Sequence, residues 1–481
     1  MNRPIVRLYG FVVVLFAVLI GFTSRWTIFQ ASSLRANTLN ERGLLEQERI
    51  DRGEILAANG EVLARSVRDS EGFYRRVYPT GALFTPAIGY SSIGLLAQTG
   101  LERYRSAALN GETGTSVQSV LNEIQGRKPQ GNTVMTTLQP NAQRVAISAL
   151  GEHEGAIVAL RPQTGGVEVM ASSPSFNANA LTSQSAYERI TKEPGAPLVN
   201  RAVQYGYAPG STFKVVTATA AIDTGQFTPE STVSGRNGVT ISGLPLKNDD
   251  NESFGQITLT EALAHSVNTV YAQVAEQLGK RTMARYMRRF GFDRKPRLDY
   301  PAEEMSASGE YLPDGRLISP TSAEADVGRM GIGQDKLAVT PLQMAEVAAA
   351  VANHGTLMTP HLTSTIVEPD GHAVQRVSPK VQSVVMKPST AAAVTGMMEA
   401  VVYSPGGTGA GAQIPGVRVA GKTGTAETQF GTAINNVWFI AFAPAQNPTV
   451  AVAVTLKGVP GQGATFAAPV AKQVMEALLH G

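Results

Sequence analysis

"VRVAGKTGTAETQFGTAINNVWFIAFAPAQNPTVAVAVTLKG", residues 417–458, supports two incompatible folds. Gly416 to Thr423 fits G-x-x-x-x-G-K-[ST], the pattern of a nucleotide phosphate loop, which needs a strand ahead of it and a helix directly behind. Neither neighbour fits. Val417 to Ala420 is strand-like inside the supposed loop, and "TGTAETQFG" is a poor helix start. Read the other way, the stretch is three strand-like runs, "VRVAGKTGTA", "NNVWFIAFAP" and "TVAVAVTLKG", leading into a closing helix from Pro469 to Leu479. Lys422, Thr423, Gly424 and Thr425 then stand on a strand.

Upstream, "GAIVALRPQTGGVEVMASSP" gives two more apolar strands around a turn at Gly165-Gly166, just past a composition break near Gly151. Residues 211–223, 259–278, 340–353 and 389–403 carry helical periodicity. Helices in the middle and strands at the end predict an α+β fold, a sheet covered by helices. Before the break, "RGEILAANGEVLARS" reads as a hairpin turning at Asn59-Gly60. Leu34 to Glu48 is polar and helix-prone, and Gln139 to Leu150 is helical. The chain has no internal repeat, and "SPGGTGAGAQ" reads as a loop rather than a phosphate cradle.

With 481 residues, 43% of them hydrophobic, the chain is long enough for two or three domains and a large core. Its 41 basic and 38 acidic residues nearly balance, which gives no reason to expect nucleic acid as a partner. The absence of cysteine excludes disulfides and thiolate chemistry. The six histidines show no ligand spacing, so no metal site is expected. At the N-terminus, Arg3 and Arg7 precede an uncharged run from Leu8 to Ser24. It is apolar on every face, longer than a secretory h-region, and followed by no clear A-x-A site. An uncleaved signal anchor over residues 8–25 is expected, with a cytoplasmic tail at 1–7 and the rest of the chain outside the cytoplasm. ATP is scarce there, which weakens the phosphate-loop reading further.

"YAPGSTFKVVTATAAID", residues 207–223, places Ser211 near a helix N-terminus and Lys214 one turn on, on the same face. A serine hydroxyl is a weak nucleophile until a neighbouring base takes its proton. A lysine can be that base if burial and nearby positive charge lower its pKa. Free N–H groups at the helix start suit an oxyanion. Alone, S-x-x-K is a weak signal, because an N-cap serine with a surface lysine reads the same.

Two further elements follow in order. "LTEALAHSVNTVYAQVAEQLG" carries Ser266 and Asn268 at a helix start, and "VAGKTGTAE" carries Lys422 to Thr425. S-x-x-K, Ser-x-Asn and K-T-G together mark penicillin-binding proteins and serine β-lactamases. "NRAVQYGYAPGSTFK", "GIGQDKLAVTPLQMAEVAAAVANHG" and "VAGKTGTAETQF…VWFIAFAP" resemble the transpeptidase domain of class B penicillin-binding proteins, and "DRGEILAANGEVLARS" the start of their pedestal. The short chain, ending soon after that domain, resembles the actinobacterial type A form.

The resemblance implies a five-stranded antiparallel sheet between helical layers, with an all-helical subdomain carrying the Ser-x-Asn loop. Residues 26–150 would form the pedestal and 151–481 the transpeptidase domain. It implies a D,D-transpeptidase without metal or cofactor, in which Ser211 is nucleophile, Lys214 base and Ser266 proton relay. Asn268 would hold Lys214 and a substrate amide, and Lys422 would add positive charge and attract a carboxylate beside Thr423. Gly424 would let a ligand approach, and Thr425 N–H would complete the oxyanion hole. Implied partners are peptidoglycan stem peptides on lipid-linked precursor, β-lactams as covalent mimics, and a membrane glycosyltransferase of the SEDS type. A D,D-carboxypeptidase, a β-lactamase and a non-catalytic β-lactam sensor or scaffold share the chemistry or the fold. Departures from the family pattern are Arg161, Leu138-Gln139 and Ala57-Ala58, all outside the motifs. Asn200 and Arg201 match it and are read as structural.

Overall fold

The structure, a computed structural model, describes residues 3–25, 49–95, 97–112, 130–427 and 434–480. The helix-prone stretch 34–48 lies outside them. Helix α1 (Arg3–Ser24) begins before the apolar run, because Pro4 is tolerated in a first turn, where its missing N–H has no helical partner. It is long and apolar enough to cross a membrane, and none of it is buried. At 1.5 Å per residue it spans about 33 Å.

Along the chain follow β1 (Ile55–Leu56), β2 (Val62–Arg68), β3 (Tyr74–Val77), β4 (Thr133–Thr136), α2 (Pro140–Leu150), β5 (Gly155–Leu160) and β6 (Val167–Ser173). Next come α3 (Lys214–Asp223), α4 (Leu259–Ala264), α5 (Asn268–Phe290), α6 (Pro341–Ala352), β7 (Thr363–Val367), β8 (Ala373–Arg376) and α7 (Pro388–Tyr403). The chain closes with β9 (Ala420–Glu427), β10 (Ile434–Ala443), β11 (Val450–Pro460) and α8 (Ala467–Leu479).

Five strands form an antiparallel sheet in the order β9-β10-β11-β5-β6. Successive side chains of a strand point to opposite faces, and here both faces are covered, which is why the strands read as continuous apolar runs. On β10, Trp438, Ile440 and Phe442 join a core that includes Met344, Val347 and Val351 of α6. Val437, Phe439 and Ala441 join a second core with Ala142, Ala146 and Leu150 of α2 and Val470 and Val474 of α8. The three-layer expectation holds.

The helical prediction over 259–278 needs one correction: the structure makes two helices there. A capping box between Thr258 and Glu261 starts α4. Ser266 then takes φ +59°, and α5 restarts at Asn268, breaks at Gly279 (φ +73°) and resumes to Phe290, where Gly291 at φ +105° ends it. A non-glycine residue at positive φ is strained and persists only where its surroundings fix it.

The hairpin at Asn59-Gly60 forms, with Gly60 at φ +86° and its N–H donated to Ala57 O. It belongs to a six-stranded sheet ordered β8-β7-β4-β1-β2-β3. Two strands of that sheet come from 363–376, far beyond residue 150, so the break near Gly151 divides the sequence but not this sheet. Ala58, Gln139 and Arg161, three of the departures from the family pattern, line one cleft with Thr136, Glu168 and His361. Arg161 pairs there with the buried Glu168 at 2.6 Å, so the basic residue has a local acidic partner. Asn200 and Arg201 are braces. Asn200 donates to Pro86 O, and Arg201 to Gly195 O and to Glu154 at 3.4 Å.

Candidate active site

Three distant parts of the chain meet at the edge strand β9. The first is a turn of 3₁₀ helix, Gly210–Phe213, leading into α3. Gly210 has φ +52°, and a Cβ there would lie 2.7 Å from Thr425 O. Its N–H is held by Gly333 O. Trp438 Nε1 donates to Ala208 O at 2.9 Å, tying the approach to Ser211 onto the sheet. Ser211 and Lys214 are both buried, Lys214 completely, which removes the surface-lysine alternative.

The second part is the strained corner between α4 and α5. Lys214 Nζ donates to Ser266 O at 2.6 Å, to Asn268 Oδ1 at 2.7 Å and to Ser266 Oγ at 3.3 Å. The positive φ of Ser266 thus belongs to the arrangement that presents its carbonyl and its hydroxyl to one lysine. The third part is β9. Lys422 Nζ reaches the same Ser266 Oγ at 2.9 Å, and Thr423 O and Oγ1 at 3.0 and 3.3 Å. Lys214, Ser266, Asn268, Lys422 and Thr423 therefore form one hydrogen-bonded cluster. Among the described residues Ser211 Oγ makes no hydrogen bond; it adjoins the cluster through its turn.

Gly424 has a different neighbour from the one expected of it. A Cβ there would lie 2.7 Å from Pro209 O and 2.9 Å from Thr212 Cγ2, so its bareness admits the Ser211 turn itself. Thr425 sits against Gly210, and its Oγ1 accepts from Gly463 N at 3.2 Å. Lys422 lies inside a strand that continues to Glu427, with no helix behind it, so the phosphate-loop reading fails.

Burial pushes the Lys214 ammonium down to about 7, against the pull of the Asp249 carboxylate. Burial also lowers Lys422 well below the ordinary lysine value, and the charge of Lys214 lowers it further. Two fully buried ammonium groups sharing one hydroxyl disfavour each other, so a neutral amine is available near neutral pH.

Sequence reading missed several groups at this site. Asn268 Nδ2 donates to Asp249 Oδ1 at 3.1 Å and to Lys247 O at 3.2 Å. Thr408, inside the glycine-rich run read only as a loop, shares a 2.7 Å hydrogen bond with Thr423 Oγ1. The one available signal was a polar cluster, "KNDDN" at 247–251, ahead of the Ser-x-Asn element.

Residues 155–476 match the family model for the penicillin binding protein transpeptidase domain, and residues 52–134 that for the penicillin binding protein A dimerisation domain. The chain is 35% identical to the peptidoglycan D,D-transpeptidase PbpA of Mycolicibacterium smegmatis, over 100% of this chain and 99% of the relative. It is 29% identical to the peptidoglycan D,D-transpeptidase MrdA of Escherichia coli, over 85% of this chain and 72% of that one. Among solved structures, a ceftriaxone acyl-enzyme complex of penicillin-binding protein A from M. tuberculosis superposes with a TM-score of 0.81 at 33% identity, covering 91% of this chain and 100% of that one. The D,D-transpeptidase domain of a peptidoglycan glycosyltransferase from Eggerthella lenta gives 0.77 at 30% identity, covering 90% and 99%. A buried two-lysine cluster on the edge strand, a match across the transpeptidase model and end-to-end likeness to mycobacterial PbpA agree: the chain belongs to the penicillin-binding protein transpeptidase family.

Proposed function

We propose that the chain is a peptidoglycan D,D-transpeptidase that cross-links stem peptides through a Ser211 acyl-enzyme. One observation carries this reading: Ser266 Oγ lies within hydrogen-bond reach of two completely buried lysines, one of them a turn from a serine at a helix start. A hydroxyl held this way is a proton relay.

In the forward step neutral Lys214 takes the proton of Ser211 Oγ as that oxygen bonds to the penultimate D-Ala carbonyl carbon. The developing oxyanion falls to backbone N–H groups of Ser211 and Thr425. Lys214 passes the proton through Ser266 Oγ to the departing amine, the C–N bond breaks, and D-Ala leaves. An acceptor amine then attacks the ester, gives its excess proton back along the same path, and Ser211 recovers its hydrogen. Lys422 and Thr423 receive the terminal carboxylate, whose charge favours the ammonium that burial works against. The edge position of β9 leaves backbone groups free to pair with an extended peptide.

β-Lactams would acylate Ser211 as substrate mimics. Residues 26–150 are assigned as pedestal and 151–481 as the transpeptidase domain. Segment 8–25 would be the membrane anchor, with 1–7 cytoplasmic and the catalytic domain outside, which the arginines ahead of the span support. A SEDS-type glycosyltransferase would be the membrane partner; co-purification from membranes that never recovers one argues against it. Labelling by a fluorescent penicillin tests the whole reading. Ser211→Ala should abolish it, and persistent labelling would place the nucleophile elsewhere. Formation of cross-linked dimer from lipid-linked precursor separates the transpeptidase from a sensor, and release of D-Ala without dimer would mark a carboxypeptidase.

A further inference from the structure

We propose that Asp249 is a positioning residue of the acyl-transfer site, holding the Asn268 amide with its oxygen toward Lys214 and setting one negative charge against the two buried lysines. This rests on the acyl-serine reading above.

The geometry is specific. An asparagine amide has one end that donates and one that accepts, and the two look alike in shape. Lys214 Nζ donates to Asn268 Oδ1 at 2.7 Å. The other end faces two groups that only accept, Asp249 Oδ1 at 3.1 Å and Lys247 O at 3.2 Å. A carboxylate and a carbonyl on one side leave the amide no alternative orientation. With the amide reversed, its NH₂ would face the lysine, and Lys214 would lose an acceptor.

The loop carrying Asp249 is built to stand there. Asn248 is buried; its Oδ1 accepts from Thr269 N at 2.9 Å, in the first turn of α5. Its Nδ2 donates to Gly235 O and Glu252 O. Asp250 and Asn251 take φ +53° and +56°, which bends the chain back immediately after Asp249. One buried side chain thus locks the loop to the same helix end that carries Asn268.

The charge has a consequence. The charge acting on Lys214 is that of Asp249 from this loop, while Lys422 from β9 is itself lowered by the charge of Lys214. Burial lowers Lys214, and Asp249 opposes it. A general base works best with a pKa near the working pH, able both to take the proton and to return it. Asp249 holds the buried amine higher than burial alone would leave it.

The test is the pH profile of acylation of the full-length protein by a fluorescent penicillin. The rate should rise with pH as Lys214 loses its proton. Asp249→Asn keeps an oxygen that can accept from Asn268 but removes the charge. Its rising limb should move to lower pH by roughly half a unit or more, making it about threefold faster below the limb, with the plateau kept. Asp249→Ala should also lower the plateau, and Asp249→Glu should restore the original limb. An unmoved or upward-moving limb in Asp249→Asn overturns the proposal. If that variant does not fold, the unaltered protein gives the same reading. Asp249 is exposed, so raising salt from ~0.05 to ~1 M should move the limb down by screening it, and an unmoved limb overturns the proposal. Failure of the acyl-serine reading looks different: the unaltered protein would not be labelled at any pH.

Discussion

Lys422 Nζ lies 2.9 Å from Ser266 Oγ, although the kinked helix α5, several short strands and three further α-helices separate them along the chain. The contact joins the sheet to the helical subdomain at one hydroxyl, and Lys214 reaches the same hydroxyl at 3.3 Å. Removing the hydroxyl should therefore affect chemistry more than folding. Ser266→Ala should lower acylation by about 10²–10⁴-fold, the usual contribution of a positioned proton donor or acceptor, with thermal stability close to the parent. The check is labelling kinetics alongside a melting curve. A variant that labels at the parent rate would remove Ser266 from the proton path.

The bareness of Gly424 is a packing requirement. A Cβ there would meet Pro209 O at 2.7 Å, and a backbone carbonyl cannot swing away as a side-chain tip can. Gly424→Ala should push the Ser211 turn off the strand and destabilise the protein by about 1–3 kcal/mol, the usual range for overpacking. Labelling should fall even where the protein still folds. A melting temperature and labelling rate equal to the parent's would show that the turn has room.

Lys214 should also leave a mark on stability. Its folded pKa is depressed to about 7 from an ordinary value of 10.5. Between those two values the unfolded chain holds a proton that the folded chain does not. Stability therefore rises with pH across that window, and the full penalty stands below about 7. Lys422 has the same sign. Lys214→Met should show a shallower rise in melting temperature between about pH 7 and 9 than the parent. An equal slope would place the titrating group elsewhere.

The parts legible in the sequence were those that local pattern determines. Strands β10 and β11 announce themselves through the apolar runs "VWFIAFA" and "VAVAV", because both faces of the sheet are covered. Ser211, Lys214, Ser266, Asn268 and Lys422 were legible as three motifs in order. The helix start at Asn268 was legible too, but the break ahead of it was not, because "LTEALAHSVNTVYAQV" keeps a helical period through Ser266, which takes a positive φ in the structure. Nor was the six-stranded sheet: Thr363 pairs with Thr136 across most of the transpeptidase domain, and no local signal specifies such a partner. Asp249 was hidden for the same reason, since its contact with Asn268 depends on two positive-φ residues that follow it.

Glu102 gives a test of the region around the six-stranded sheet, separate from the chemistry. It is fully buried, with Arg52 Nε at 2.9 Å on one oxygen and Arg76 Nε at 2.6 Å on the other. Burial pushes its carboxyl up, and the two guanidinium groups more than reverse that, leaving it below the ordinary glutamate value. A carboxylate with a depressed pKa contributes stability that is present above its unfolded pKa and is lost as pH falls through the folded one. Glu102→Gln removes the anion and leaves two guanidiniums close together with little water, a change that typically destabilises by 3–5 kcal/mol. Asp51, partly exposed and near Arg76, can offset only part of that charge. The six-stranded sheet should therefore melt or become protease-sensitive first, below the melting temperature of the transpeptidase core, and the variant should lose the parent's acid-dependent destabilisation in that step. Limited proteolysis at rising temperature, read by fragments that break between β3 and β4, checks this. A variant as protease-resistant as the parent at every temperature would show that the two arginines need no buried anion.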